Sequence, residues 1–267
     1  MISALLLALA LLWSGAAGAS WSSAGTIGSG TSTTAGTTVA VTTSADAEAG
    51  NVVVCVIGKD ESGTGSTDGT ANAQFTSIAD SDAVNVWVEA YEWCNMQTST
   101  AANGACVAVY YTKVADTIET SDVITATITS VTSKAMSCWE FTATSSPLTV
   151  AETAGENGLA NDAADPGSMT LASGVSSEHL FVRASACESN NTGYTVDTDY
   201  TAMTSATADT GTTATSMGVR GEFRIANEAT SAASDPTYVA ADCASAMIGL
   251  NEFVQTWVPG RRPFFFK

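Results

Sequence analysis

After residue 20 the apolar positions fall in short runs that alternate with Ser, Thr, Gly and Asn, and no window carries a capped helical period. Thr37 to Thr43 alternates as a first strand, and Ala49-Gly50-Asn51 reads as a turn. Val52 to Ile57 is a continuous run of β-branched type, the pattern of a central strand covered on both faces. Further strands are expected in Phe75 to Trp93, Val107 to Lys113, Val123 to Ile128 and Met136 to Phe141, with Pro147 ending the series. Lys59 to Asn72 has loop composition, and the polar stretch 151–168 reads as a crossover. Strand material then resumes at Met169 to Leu171, Leu180 to Ala184, Tyr194 to Thr195, Gly218 to Ala226 and Ala244 to Val254.

Two closing segments nearly repeat each other, Ala135-Met136-Ser137-Cys138-Trp139-Glu140-Phe141 and Ala246-Met247-Ile248-Gly249-Leu250-Asn251-Glu252-Phe253. A β half cannot bury its apolar face alone, so the repeat predicts two related halves, 20–150 and 165–255, in one β-sandwich over 20–255. The expected class is all-β, a jelly-roll sandwich of two antiparallel sheets with little helix apart from a possible N-terminal segment.

Charge narrows the partners. The 267 residues include 27 acids and 9 bases, for a formal net charge of -18. Such a chain repels phosphate backbones and anionic bilayers, which disfavours broad nucleic-acid or membrane binding. The bases Arg261, Arg262 and Lys267 crowd the last seven residues beside Phe264, Phe265 and Phe266. This 256–267 arm reads either as a frayed terminus or as a cationic aromatic anchor that docks on an acidic partner. Residues 1–19 hold an apolar run too short to span a membrane, followed by small residues that place Ala17 and Ala19 in an A-x-A cleavage pattern. They read equally as a cleaved signal and as a retained anchor, because no base precedes the run.

Six cysteines lack the C-x-x-C spacing of a zinc site. Cys94 and Cys106 flank one loop and are disulfide candidates in an oxidising compartment. Cys55 and Cys138, inside apolar runs, read as small buried hydrophobes, and Cys187 and Cys243 fit either role.

Catalytic chemistry finds little support. His179 is the only histidine and no G-x-S-x-G elbow accompanies it, so it reads as a core residue. Glu89, Glu92, Glu140 and Glu252 are the carboxylates a glycosidase would draw on, but Glu140 and Glu252 recur with the closing-strand motif and fit a strand-end role. Trp87, Glu89, Tyr91 and Trp93 alternate in one strand and are expected on one face, as core or as the wall of a sugar-binding groove. No cofactor is expected. Calcium is the ion that Asp80 with Asp82, Asp197 with Asp199, or Asp60 with Glu61 would suit, although no EF-hand loop is present.

The order of segments resembles a jelly-roll family of bacteriophage virion surface proteins. Ser23 to Gly30 resembles its S-A-G-x-x-x-S-G start, and Ala49 to Cys55 its A-G-N-x-V-V-V strand. Asp80 to Trp87 is similar to D-S-x-x-N-x-W with one extra residue, and Val107 to Lys113 matches V-x-V-Y-Y-x-K. Ala135 to Phe141, Leu180 to Ala184, Gly193 to Thr195 and Ala246 to Phe253 continue the likeness. The resemblance implies a non-enzymatic capsid decoration, head-fibre or tail-associated protein on a virion surface. It would bind a major capsid or other virion protein as a homo-oligomer, a trimer by analogy. The alternative is a secreted carbohydrate-binding adhesin that uses the aromatic strand face.

Overall fold

The computed structural model describes residues 21–60, 73–96, 104–143, 148–158, 169–170, 178–188, 193–212, 215–227, 231–237 and 242–252. The 1–19 segment and the 256–267 arm lie outside them. Every strand pairing is antiparallel, as the all-β reading expects.

The first eight strands are β1 (Ser22–Ser32), β2 (Gly36–Thr42), β3 (Val52–Asp60), β4 (Phe75–Asp80), β5 (Trp87–Met96), β6 (Gly104–Lys113), β7 (Val123–Val131) and β8 (Lys134–Thr142). They pair as a nest, β1 with β8, β2 with β7 and β3 with β6, giving a five-stranded sheet β1-β8-β3-β6-β5 and a three-stranded sheet β2-β7-β4. The next eight are β9 (Leu148–Gly158), β10 (Met169–Thr170), β11 (Glu178–Cys187), β12 (Thr201–Ala202), β13 (Ala206–Ala208), β14 (Met217–Asn227), β15 (Ser231–Ala232) and β16 (Cys243–Glu252). Here β9 pairs with β16, β10 with β15 and β11 with β14; β12 and β13 also pair with β14, completing a six-stranded sheet. The order β9-β16-β11-β14 therefore repeats the order β1-β8-β3-β6. The two closing segments, β8 and β16, hold the same place in it.

The expected sandwich has two sheets, and the chain builds three stacked layers with a small β10-β15 ribbon. One face of the five-stranded sheet, with Val54, Val56, Val107 and Val109, packs on Leu180, Val182, Ala246 and Ile248 of the six-stranded sheet. Its other face, with Val53, Ile57, Ala108 and Met136, packs on Val39, Val41, Ile124 and Ala126 of the three-stranded sheet. This double cover explains the unbroken apolar run of β3, whose nine residues are all buried. The outer face of the six-stranded sheet carries Phe181 and Met247, which pack with Tyr200 and Ala232.

Five strands escape the composition-based reading, the short β12, β13 and β15 and the long β1 and β9. β1 is Ser/Gly-rich because β2 crosses it closely: a Cβ on Gly30 would lie 1.8 Å from the Ala40 carbonyl oxygen, and one on Gly28 2.6 Å from Val41 Cγ1. β9 falls mostly in the stretch read as a crossover, and it forms the edge of its sheet, pairing with β16, a place where polar composition costs a strand little.

All six cysteines are bridged. Cys94–Cys106 joins β5 to β6 as expected. Cys55–Cys138 joins β3 to β8, which corrects their reading as free hydrophobes, and Cys187–Cys243 joins β11 to β16. Each pair sits directly opposite in register with Cα atoms 4.1 Å apart, the approach of a non-hydrogen-bonded antiparallel pair. Cys55→Ala/Cys138→Ala should lower stability by about 2–4 kcal/mol, read as a lower urea midpoint with both proteins handled without reductant. An unchanged midpoint would contradict the bridge.

Candidate functional site

The aromatic stripe of β5 does not form one face. A β-bulge between Glu89 and Tyr91 lets Ala90 interrupt the alternation. Before the bulge, Trp87 packs towards the three-stranded sheet, its indole N–H donating to Asp80 Oδ2 at 3.1 Å, and Glu89 Oε2 accepts from the Tyr110 hydroxyl at 2.7 Å. After it, Tyr91 and Trp93 pack towards the six-stranded sheet with ring centroids 6.2 Å apart. Trp93 lies flat over Gly155 of β9, where a Cβ would come within 2.2 Å of the indole. The four residues are thus divided between two packing layers, and the Trp93 ring lies against the protein's own backbone at Gly155.

Two of the carboxylates of the sequence reading, Glu140 and Glu92, are occupied by backbone amides. Glu140 Oε1 accepts from the Glu48 amide at 2.8 Å and from Asn51 Nδ2 at 2.7 Å, fastening the 48–51 turn to β8. Glu92 is buried and accepts from the Gln74 and Phe75 amides at 3.0 and 3.3 Å; burial holds its pKa above the usual carboxylate range. Glu178 accepts from the Trp21 amide, tying the start of the described chain to the second half. For Glu252, only its backbone place at the end of β16 is described. His179 is fully buried with its ring stacked on Phe181 at 5.9 Å.

Two buried polar clusters were invisible in the sequence, because each gathers residues from distant strands. On the outer face of the six-stranded sheet, Arg183 and Glu222 sit opposite each other in β11 and β14. Arg183 donates to Ser234 Oγ at 2.9 Å and to its carbonyl at 3.1 Å, and Ser234 donates to Glu222. Tyr194 donates to the other Glu222 oxygen at 2.8 Å, as does the Asp197 amide at 3.2 Å. A shallow depression of about 360 Å³ lies beside this cluster, lined by Thr195, Val196, Asp197, Thr198, Asp235 and Thr237. Asp197 does not face it with a free carboxylate: its oxygens accept from the Asp235 amide at 2.7 Å, the Asp199 amide at 3.3 Å and Thr198 Oγ1 at 3.2 Å, which hold its pKa down. Asp199 pairs with Arg224 at 3.5 Å. Among the described residues no group of three or more metal-ligating side chains is arranged to hold an ion. Asp80 serves Trp87, and Glu61 lies outside the described residues.

The second cluster joins the layers at the opposite end of β3. Glu188 accepts from the Gly104 amide at 3.0 Å, its own amide donates to the Asp242 carbonyl at 2.9 Å, and its carboxyl shares a hydrogen bond with Asp60. Burial first, then the neighbouring Asp60 and Asp242 charges, push Glu188 up to about 9.

Arg261, Arg262, Phe264, Phe265, Phe266 and Lys267 lie outside the described residues. No known family model, curated protein or solved structure matches the chain.

Two expectations follow from this geometry. Gly155→Ala should destabilise the protein by about 1–3 kcal/mol through overpacking, and combining it with Trp93→Ala should cost less than the sum of the two single changes in chemical denaturation. Glu188 stays neutral when folded up to about 9 but ionises near 4.5 when unfolded, so unfolding releases a proton between those values. Its contribution is complete below about 4.5 and lost as pH rises through about 9. Unfolding free energy should decline across that window, and Glu188→Gln should flatten the decline.

Proposed function

We propose that the chain is a non-enzymatic structural protein of an external surface, with a virion decoration or head-fibre component as the form its sequence resemblance suggests. The observation that carries this reading is the use made of the buried and half-buried acids. Glu92, Glu140, Glu178, Glu188 and Glu222 each accept a hydrogen bond from a backbone amide or side chain of another strand or loop, so their charge or polarity holds segments together. A catalytic pair would instead present carboxylates across an open cleft.

Supporting it, the nested order of β1 to β8, recurring in β9 to β16, is the pattern a rolled hairpin of jelly-roll type would take. Three bridged cysteine pairs suit an oxidising exterior. On this reading the protein binds a capsid or other virion protein through one pole and forms homo-oligomers. The adhesin reading draws less support, since the bulge divides Trp87 and Glu89 from Tyr91 and Trp93.

Particles stripped of the protein should regain regular surface density, seen by electron cryo-microscopy, when the purified chain is added back. If the protein instead fails to bind particles and binds a glycan array at micromolar or tighter affinity, with binding abolished by Trp87→Ala, the structural assignment falls.

A further inference from the structure

The exposed large hydrophobic side chains among the described residues are three valines at alternate positions: Val84 at 50%, Val86 at 76% and Val88 at 40% exposure. Scattered exposed valines are ordinary, but these form a row leading into the edge strand β5. The backbone beneath them is fastened. Asn85 is buried; its Oδ1 accepts from the Ala115 and Asp116 amides at 2.7 and 3.1 Å, and its Nδ2 donates to the Asp116 carbonyl at 3.1 Å. Thr112 Oγ1 donates to the Val86 carbonyl at 2.8 Å, and the Ala83 amide closes a turn onto the Asp80 carbonyl at 3.1 Å. An apolar row held rigidly in water has already lost the conformational freedom that docking would otherwise remove.

The rim of this row is acidic: Asp82 and Asp116 are exposed, while Lys113 donates to the Ala143 carbonyl. The complementary occupant is apolar and cationic. The sequence supplies one in residues 253–267, which hold Trp257, Phe264, Phe265 and Phe266 with Arg261, Arg262 and Lys267. The exit point also fits. Asn95 Nδ2 donates to the Cys243 carbonyl at 3.0 Å, so the start of β16 lies beside the end of β5. Glu252, at the far end of β16, therefore emerges at the pole where β5 begins. An extended chain covers roughly 3.3 Å per residue, so the following residues reach well beyond the ~10 Å between packed sheets.

We propose that residues 253–267 fold back onto the same chain, laying the aromatic rings over Val84, Val86 and Val88 and pairing cations among Arg261, Arg262 and Lys267 with Asp82 and Asp116. The intrachain link raises the effective concentration of the segment over any free competitor. The proposal stands independently of the virion reading.

The test uses the full chain with a photoreactive benzoylphenylalanine in place of Phe265. Irradiation should cross-link it to the peptide spanning 81–90 within the monomer, and Val86→Asp, a change at an exposed position, should abolish that cross-link while circular dichroism stays unchanged. In parallel, removing residues 261–267 should speed amide exchange at 84–88 several-fold at low salt, and by less in 1 M salt. A cross-link elsewhere, or unchanged exchange after truncation, overturns the proposal. A cross-link to 81–90 found only between two copies overturns the intrachain form in favour of exchange between molecules.

Discussion

The rest of the structure depends on the central strands of the five-stranded sheet, β3, β6 and β8, having no solvent face. Covering both sides obliges β3, β6 and β8 to be apolar in both phases of the pleat, and β6 is buried over Gly104 to Thr112. Polar groups caught in that layer must find partners at its margins. Lys59 donates to Thr129 Oγ1 at 2.7 Å, and Lys134 to the Thr34 and Val131 carbonyls at 2.7 and 3.0 Å. Burial holds the Lys134 pKa below the usual lysine range, as expected for an ammonium whose water has been replaced by carbonyl oxygens.

The six-stranded sheet supplies one of those covers while repeating the strand order of the sheet it covers. The inner faces of the two sheets meet in one apolar layer; their outer faces are finished differently. The first is closed by a regular sheet over an apolar interior. The second is closed by the 194–200 and 231–237 segments over Arg183 and Glu222, so polar pairing does there what aliphatic packing does on the other side. Opposite charges buried together in this way, here linked through Ser234, are weak evidence for added stability, because desolvation offsets attraction; losing either member alone is the severe change.

Central strands were legible because burial on two faces writes itself into composition: Val52 to Ile57 could hardly lie anywhere else. The closing segments were legible for the same reason, and they occupy equivalent places in the two sheets. Edge strands were not. The Gly and Ser of β1 answer to the close approach of β2, and β9, an edge strand rich in Glu, Asn and Gly, is not pressed between two layers as β3 is, so neither carries an apolar signature. The β5 stripe misled because one bulge residue, Ala90, reverses the phase of everything after it, which alternation alone does not reveal. Cys55 and Cys138, separated by 83 positions, needed the β3–β8 register before they could be paired. Arg183, Glu222, Glu188 and Asp60 needed the stacking of layers.

The three disulfides all lie between neighbouring strands of one sheet, and none crosses from one sheet to another. Under tension applied to the chain's ends, this arrangement shortens the tether. The 83-residue span closed by Cys55–Cys138 contains the Cys94–Cys106 span and is withheld from extension, as is the 56-residue span of Cys187–Cys243. At roughly 3.3 Å per residue, the first bridge alone conceals about 270 Å of contour. Pulled apart, the two halves would separate at their apolar contact while each kept its central strands joined. The molecule would give way by parting its layers long before it could be drawn out as a thread.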